Sequence, residues 1–189
     1  TSVYDTSDSD FHIIGKFTFI SPPENGNVMT ADTSYTIEWN RHDITGIDNV
    51  FLEYSTNGGS DWNNIGTVLN TGQYGWTVVG TVLSSDCKLR ITDPNQSAAT
   101  ALNTGTFKIK GSLTVTSPNL GSESWDIGST YAITWNKAGA ISTIKIQYST
   151  DSGSTYSDLP GATGIDVESG DADPNQGAWN WYIATDTVL

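Results

Sequence analysis

The chain has 189 residues, enough for two ordinary domains. Its 21 acidic and 8 basic side chains give a formal net charge of −13, which repels nucleic-acid phosphates, so we expect no nucleic-acid partner. The single cysteine, Cys87, excludes an internal disulfide, and the sequence contains no run of about 18 apolar residues that would predict membrane insertion.

Apolar residues at alternate positions predict a series of β-strands between residues 17 and 109. In chain order they are Phe17 and Phe19; Tyr35, Ile37 and Trp39; Val50, Leu52 and Tyr54; Tyr74, Trp76 and Val78; Cys87, Leu89 and Ile91; and Phe107 and Ile109. Turn-forming Gly, Pro, Asn and Asp residues separate these segments at the short spacing typical of an antiparallel sandwich.

The second half of the chain repeats the first in the same order. "SPPENGNVMTADTSYTIEWN" (21–40) corresponds to "SPNLGSESWDIGSTYAITWN" (117–136), and "VFLEYSTNGGSDW" (50–62) corresponds to "IKIQYSTDSGSTY" (144–156). Later, "QYGWTVV" (73–79) corresponds to "AWNWYIA" (178–184). We therefore predict an all-β protein made of tandem immunoglobulin-like or fibronectin-like antiparallel β-sandwiches, each with about seven strands.

The predicted domains are a complete repeat at 16–111 and a second repeat at 112–189 that lacks its last strands. Residues 1–15 resemble the end of the complete repeat, with Phe11 and Ile13 where Phe107 and Ile109 stand, and are predicted to be the last strand of a preceding or partner repeat. Two interpretations follow. The favoured one is a segment of a longer tandem array, and the other is strand exchange between copies, with residues 1–15 as the donated strand.

These ordered motifs resemble a known extracellular repeat. The sequence is similar to the β-sandwich module of the Kre9/Knh1-like family, the Ser-Thr-rich GPI-anchored membrane family, which also occurs in tandem in bacterial cell-surface and secreted proteins. The resemblance implies a place at the cell surface, in cell-wall glucan assembly, or in the tail of a secreted enzyme. It supplies no catalytic residues.

An insertion in the second copy is the candidate metal site. It contains "DVESGDADPNQG" (166–177), whose oxygen-bearing side chains belong to Asp166, Glu168, Asp171, Asp173 and Asn175. Calcium binds about six to eight such oxygens, so the segment is a candidate calcium loop. Counted from Asp171, Gly177 is the seventh residue, whereas an EF-hand loop needs its glycine at the sixth position. A solvated acidic loop without a metal is therefore the favoured alternative.

The tryptophans divide into two groups by phase. Trp39, Trp76, Trp135 and Trp181 are in phase with the apolar side of their strands and are predicted to lie in the core. Trp62, Trp125 and Tyr182 lie off that phase or in loops, as does Phe51. Because sugars stack on exposed aromatic rings, the first three of these are candidate carbohydrate-binding residues.

The sequence predicts a protein that is not an enzyme, because it contains no Gly-x-Ser-x-Gly or His-x-x-x-His motif. We expect an extracellular structural or spacer repeat of a cell-surface or secreted protein, with assembly into a fibre by strand complementation as an extension. The alternative is a carbohydrate-binding accessory module of a secreted hydrolase. The expected partners are neighbouring repeats, copies of the chain itself, or cell-wall polysaccharide. Calcium is the candidate cofactor.

Overall fold

The computed structural model describes residues 3–10, 13–21, 26–42, 46–168, 170 and 175–185. These residues form fourteen β-strands and no helix, which confirms the predicted all-β class. Within them, accordingly, no apolar helix is long enough to cross a membrane.

Nine strands lie between residues 18 and 110. They are β1 (Thr18–Ser21), β2 (Val28–Thr30), β3 (Ser34–Asn40), β4 (Asn49–Ser55), β5 (Asn63–Leu69), β6 (Gln73–Thr77), β7 (Ser84–Asp93), β8 (Gln96–Leu102) and β9 (Phe107–Lys110). The other five are β10 (Ser112–Ser117), β11 (Thr130–Ala138), β12 (Thr143–Tyr148), β13 (Ser157–Asp166) and β14 (Gln176–Tyr182).

The chain divides into two compact units. The first comprises Thr1–Asn27, Ser34–Trp76 and Ser84–Lys108, and the second comprises Val28–Thr33, Thr77–Leu83 and Ile109–Leu189. The predicted repeat boundaries at 16–111 and 112–189, and the immunoglobulin-like detail, stay predictions.

The core of the first unit lies between two sheets. Among the strands of this unit, one sheet has the order β1-β3-β6, and the other has the order β9-β7-β4-β5, with β8 paired to β7. Trp76 of β6 contacts Tyr54 of β4 and Phe107 of β9, with ring centroids 5.2 and 6.4 Å apart. The sheets therefore face each other, as in a β-sandwich. The predicted inward residues are buried, among them Ile37, Trp39, Val50, Leu52, Cys87, Leu89 and Ile91.

The second unit has a core of its own. Its sheets have the orders β10-β11-β14 and β12-β13. Residues from both pack into one buried cluster, namely Ile133, Trp135, Leu159, Ala162, Ile165 and Val167. Seven further apolar residues contact this cluster but are only partly buried: Trp125, Ile141, Ile144, Ile146, Tyr148, Trp179 and Trp181.

Four strands were not indicated by the sequence. They are β2, β5, β8 and β13, which lack a sustained apolar alternation, and each lies at the margin of its sheet or off its main path. A strand in such a position has one partner and presents much of its surface to solvent, so burial imposes little pattern on it.

The described part of residues 1–15 forms no strand. Val3, Tyr4 and Ile13 are exposed, at 96, 86 and 91%, and Phe11 lies outside the described residues. The role of this segment in completing a repeat stays a prediction.

Candidate functional site

Both copies contain a Tyr-Ser-Thr motif, at residues 54–56 and 148–150, and each motif begins a loop. In the first unit, Ser55 ends β4, and its Oγ accepts hydrogen bonds from the backbone N–H groups of Asn57 and Gly59, at 3.2 and 2.8 Å. The same hydroxyl donates to Oδ1 of Asn57 at 2.9 Å. Gly59 has a φ of +97°, in the left-handed region that favours glycine. The motif therefore fixes the turn that follows β4.

The second copy of the motif makes the same kind of loop. Ser149 Oγ accepts from the backbone N–H groups of Asp151 and Gly153, at 3.3 and 2.8 Å. A hydrogen bond from the backbone N–H of Thr155, with further bonds from the hydroxyls of Thr155 and Ser149, lowers the pKa of Asp151 to about 2. This carboxylate is already occupied in holding the loop, so the repeated motif has a structural role.

The tryptophans repeated between the halves also have structural contacts. Trp39 and Trp135 are buried, and their indole N–H groups donate to Asn70 Oδ1 at 2.9 Å and to the Val167 carbonyl oxygen at 2.8 Å. The core prediction is thus confirmed for both, and also for Trp76. For Trp181 the predicted burial is only partly reached: the ring packs against the core of the second unit but is half-buried.

The described part of the candidate calcium loop is engaged with other groups. The Glu168 carboxylate forms an ion pair with Lys137, at 2.5 Å between Oε1 and Nζ. The Asp166 carboxylate, at the end of β13, accepts a hydrogen bond from the backbone N–H of Glu168 at 3.0 Å. The backbone carbonyl oxygen of Asn175 accepts a hydrogen bond from the backbone N–H of Lys137 at 2.8 Å. A cation at this position would have to compete with the Lys137 ammonium group for Glu168.

Two members of that loop, Asp171 and Asp173, lie outside the described residues. Over the part of the chain that the structure describes, no three His, Cys, Asp or Glu side chains are grouped so as to hold a metal ion. The calcium site stays a prediction.

Two of the candidate carbohydrate residues belong to the second unit. Trp125 stacks on Tyr131, with ring centroids 4.8 Å apart and an interplanar angle of 5°, and its edge contacts Trp181. It is half-buried and covers part of the apolar cluster. Tyr182, at the end of β14, is 58% exposed. Trp125 therefore offers a sugar at most part of its ring, whereas Tyr182 is open to solvent.

The third candidate, Trp62, borders a groove on the outward face of the first unit. The groove is open to solvent and has a volume of about 620 Å³. Its lining residues are Phe51, Glu53, Gly59, Trp62, Arg90, Thr92, Ser97, Thr100 and Leu102. They come from β4, β7 and β8 and from the segments beside them.

The groove has an organised polar centre. Arg90 of β7 lies opposite Glu53 of β4 in the strand register, and its Nε donates to Glu53 Oε2 at 2.7 Å. The guanidinium carbon lies 4.3 Å from the centroid of the Trp62 ring, so the cation covers one face of the indole. Nearby, the Thr92 and Thr100 hydroxyls are 2.9 Å apart. The surface combines aromatic area, a guanidinium group and hydroxyls.

Sequence reasoning found the aromatic residues of this groove but not Arg90 or Glu53. Both stand at outward positions of their strands, between core residues, and alternation alone marks such positions only as exposed. Their partnership depends on β7 lying beside β4, which is 37 residues away along the chain at this pair. No local signal encodes that adjacency.

Comparison with known proteins adds no assignment. No protein-family model matches the chain, and no curated protein matches its sequence. The resemblance to the Kre9/Knh1-like module thus stays a prediction from the motifs.

Proposed function

We propose that the chain is a non-catalytic structural repeat of an extracellular or cell-surface protein. The observation that carries this proposal is the role of the side chains shared by the two halves. Ser55 and Ser149 hold equivalent loops, and Trp39 and Trp135 fill the two cores. What the chain duplicates is thus a scaffold, as expected of a module whose work is to space or assemble larger proteins.

The charge of the chain is consistent with that role. A net charge of −13 keeps neighbouring molecules apart and the module in solution. The hydrogen-bonded loops and the buried tryptophans limit local opening, which is the step that exposes a chain to proteases. A spacer outside the cell needs both properties.

Surface labelling of intact source cells tests this proposal. Antibodies raised against the chain should label unpermeabilised cells, and brief treatment of those cells with an external protease should remove the label. An antibody to a cytoplasmic protein, which should label only permeabilised cells, is the control. If labelling by the antibodies to this chain also required permeabilisation, the chain would not be an extracellular repeat.

The groove on the first unit favours a second candidate function, carbohydrate binding in an accessory module of a secreted hydrolase. Phe51 and Leu102 supply apolar surface for the C–H faces of a sugar ring, and Arg90 with the two threonine hydroxyls supplies hydrogen-bonding groups. Since Arg90 already covers one face of Trp62, we place the stacking contact on Phe51 rather than on the indole.

Affinity electrophoresis through gels that contain soluble polysaccharides tests this second function. If a polysaccharide retards the chain, Phe51→Ala should reduce the retardation at least about tenfold in apparent affinity, because a stacking contact is lost. Tyr182→Ala, which removes an exposed ring from the second unit, is the matched control and should change little. Loss of binding in the control alone would move the site to Tyr182, and no retardation by any polysaccharide would remove this function.

A further inference from the structure

The second compact unit contains two segments that the sequence repeat assigns to the first copy. They are Val28–Thr33 and Thr77–Leu83, which together we call the first-copy surface. A loop of the second copy, residues 139–141, lies against this surface and is called the glycine loop; it follows β11 and precedes β12. All of these residues belong to the second unit, so their contacts lie within one compact body.

Two hydrogen bonds and one close approach hold the glycine loop in place. The backbone N–H of Gly139 donates to Asp32 Oδ2 at 3.1 Å, and the backbone N–H of Ala140 donates to the Gly80 carbonyl oxygen at 2.8 Å. A Cβ atom added to Gly139 would stand 2.8 Å from the Cβ of Ala31, which is itself 1% exposed. The loop can therefore come this close to the first-copy surface only with glycine at position 139.

Ile141 connects the glycine loop to the core of the second unit. Its side chain packs against the buried cluster that contains Ile133 and Trp135. It also lies against the backbone at the predicted boundary between the copies, because a Cβ atom added to Gly111 would stand 2.7 Å from Ile141 Cγ1. The loop is thus held between the second core on one side and the first-copy surface on the other.

Asp32 has an unusual backbone conformation for a residue with a side chain. Its φ is +60°, in the left-handed region that is unfavourable for residues with a Cβ atom. The second copy builds the same turn with glycine, since Gly128 has a φ of +82°. The two turns share a hydrogen bond, from Asp32 N–H to the Val78 carbonyl oxygen at 2.9 Å and from Gly128 N–H to the Ile183 carbonyl oxygen at 2.8 Å. The turn itself therefore does not need an aspartate.

The carboxylate of Asp32 supplies a contact that glycine cannot supply. Strained residues persist where the surrounding structure uses them, and here the side chain accepts the N–H of Gly139. We propose that Asp32 fixes the second repeat to the first by capping the glycine loop on the first-copy surface. The proposal deepens the structural function, on which it rests, by naming the surface and the residue that join consecutive repeats. Because Gly128 has no carboxylate, the cap belongs to this joint and not to the frame that the two copies share.

Amide hydrogen exchange of the whole 189-residue chain, followed residue by residue by NMR, tests this proposal. In Asp32→Gly, the Gly139 amide should exchange at least about fivefold faster than in the parent chain, because its acceptor is lost. Asp32→Asn retains an oxygen acceptor and should keep most of the protection. Unchanged exchange of Gly139 in Asp32→Gly would overturn the proposal, and so would exchange in Asp32→Asn as fast as in Asp32→Gly.

Gly128→Ala is the matched control for the backbone of the turn. It places a Cβ atom in the equivalent left-handed turn, and the added atom meets nothing within 4 Å. The variant therefore strains the turn without touching the glycine loop, and it should leave the exchange of Gly139 unchanged. Acceleration of Gly139 exchange in Gly128→Ala comparable to that in Asp32→Gly would show a general loosening of the unit and would overturn the proposal.

A double-mutant cycle with Gly139→Ala tests whether the cap and the close approach act together. The added methyl group should displace the loop from Ala31, so Asp32→Gly should have little further effect in that background. The readout is the exchange rate of the Ala140 amide, corrected for its intrinsic rate, in the parent chain, the two single variants and the double variant. Effects that multiply independently would mean that Asp32 and Gly139 do not form one contact, which would overturn the proposal.

The parent chain alone gives a result that needs no variant to fold. Its Gly139 amide should exchange at least about fivefold more slowly than the same amide in a free peptide of residues 134–144. Absence of this protection would overturn the proposal and leave the structural function intact. Failure of the structural function itself would instead be seen in the labelling of intact cells.

Discussion

Replacing Trp39 by alanine is expected to lower the free energy of unfolding of the first unit by about 3 to 5 kcal/mol. The indole is 2% exposed and packs in the core of that unit, so its removal leaves a cavity that neighbouring side chains fill only in part. Its N–H also donates to Asn70 Oδ1 at 2.9 Å, and Asn70 is itself buried. The substitution therefore removes apolar contacts and leaves a buried acceptor unpaired.

Trp39→Phe separates these two losses. It retains a large ring but cannot donate to Asn70, whose Nδ2 continues to donate to the Ile47 carbonyl oxygen at 2.9 Å. We expect a smaller loss than for alanine, since one hydrogen bond and part of the ring volume are removed.

Urea unfolding followed by far-ultraviolet circular dichroism measures both changes. Trp62→Ala is the control, because that ring is half-buried on the outer face and its removal should cost no more than about 2 kcal/mol. If Trp39→Ala and Trp62→Ala shifted the midpoint equally, Trp39 would not anchor the core.

The inward side chains could be predicted from the sequence because burial imposes a local period. Ile37, Leu89 and Ile91 are buried where alternation places them, and no knowledge of strand order is needed to find them. The repeated serines were found as part of a motif, but their hydroxyl contacts became evident only from the loop geometry.

The features that depend on which strands are neighbours could not be predicted in this way. Trp76 and Trp181 occupy equivalent positions, yet only Trp76 is fully buried, and Phe107 of β9, which contacts the Trp76 ring, has no counterpart among the described strands of the second unit. Likewise, the pairing of Glu168 with Lys137 joins residues 31 positions apart and changes the electrostatics of the candidate calcium loop. Such differences arise from long-range pairing, which local periodicity does not encode.

Gly177→Ala is expected to destabilise the second unit by about 2 to 4 kcal/mol. Gly177 lies opposite Trp135 in the pairing of β14 with β11. A Cβ atom added there would stand 2.6 Å from both Nε1 and Cε2 of the Trp135 ring, and still closer to the Val167 carbonyl oxygen. That carbonyl accepts the indole N–H at 2.8 Å, so the added methyl group would force apart the donor and the acceptor of a buried hydrogen bond.

Gly75→Ala is the matched control for this substitution. Gly75 also lies in a strand, β6, but an added Cβ meets no atom within 4 Å, and its φ is not left-handed. We expect this variant to be neutral or slightly stabilised, since alanine restricts the unfolded chain more than glycine does. Thermal unfolding of the two variants beside the parent chain makes the comparison.

Equal melting of Gly177→Ala and the parent chain would show that β14 can move away from Trp135 at little cost. The expected loss would instead explain why the acidic insertion ends in glycine. Counted from Asp171, Gly177 is the seventh residue of the acidic run, whereas an EF-hand requires its glycine at the sixth position. Gly177 instead lies directly beneath the indole of Trp135. The requirement for glycine at this position then comes from the packing of the second core, and it would hold whether or not the preceding carboxylates bind calcium.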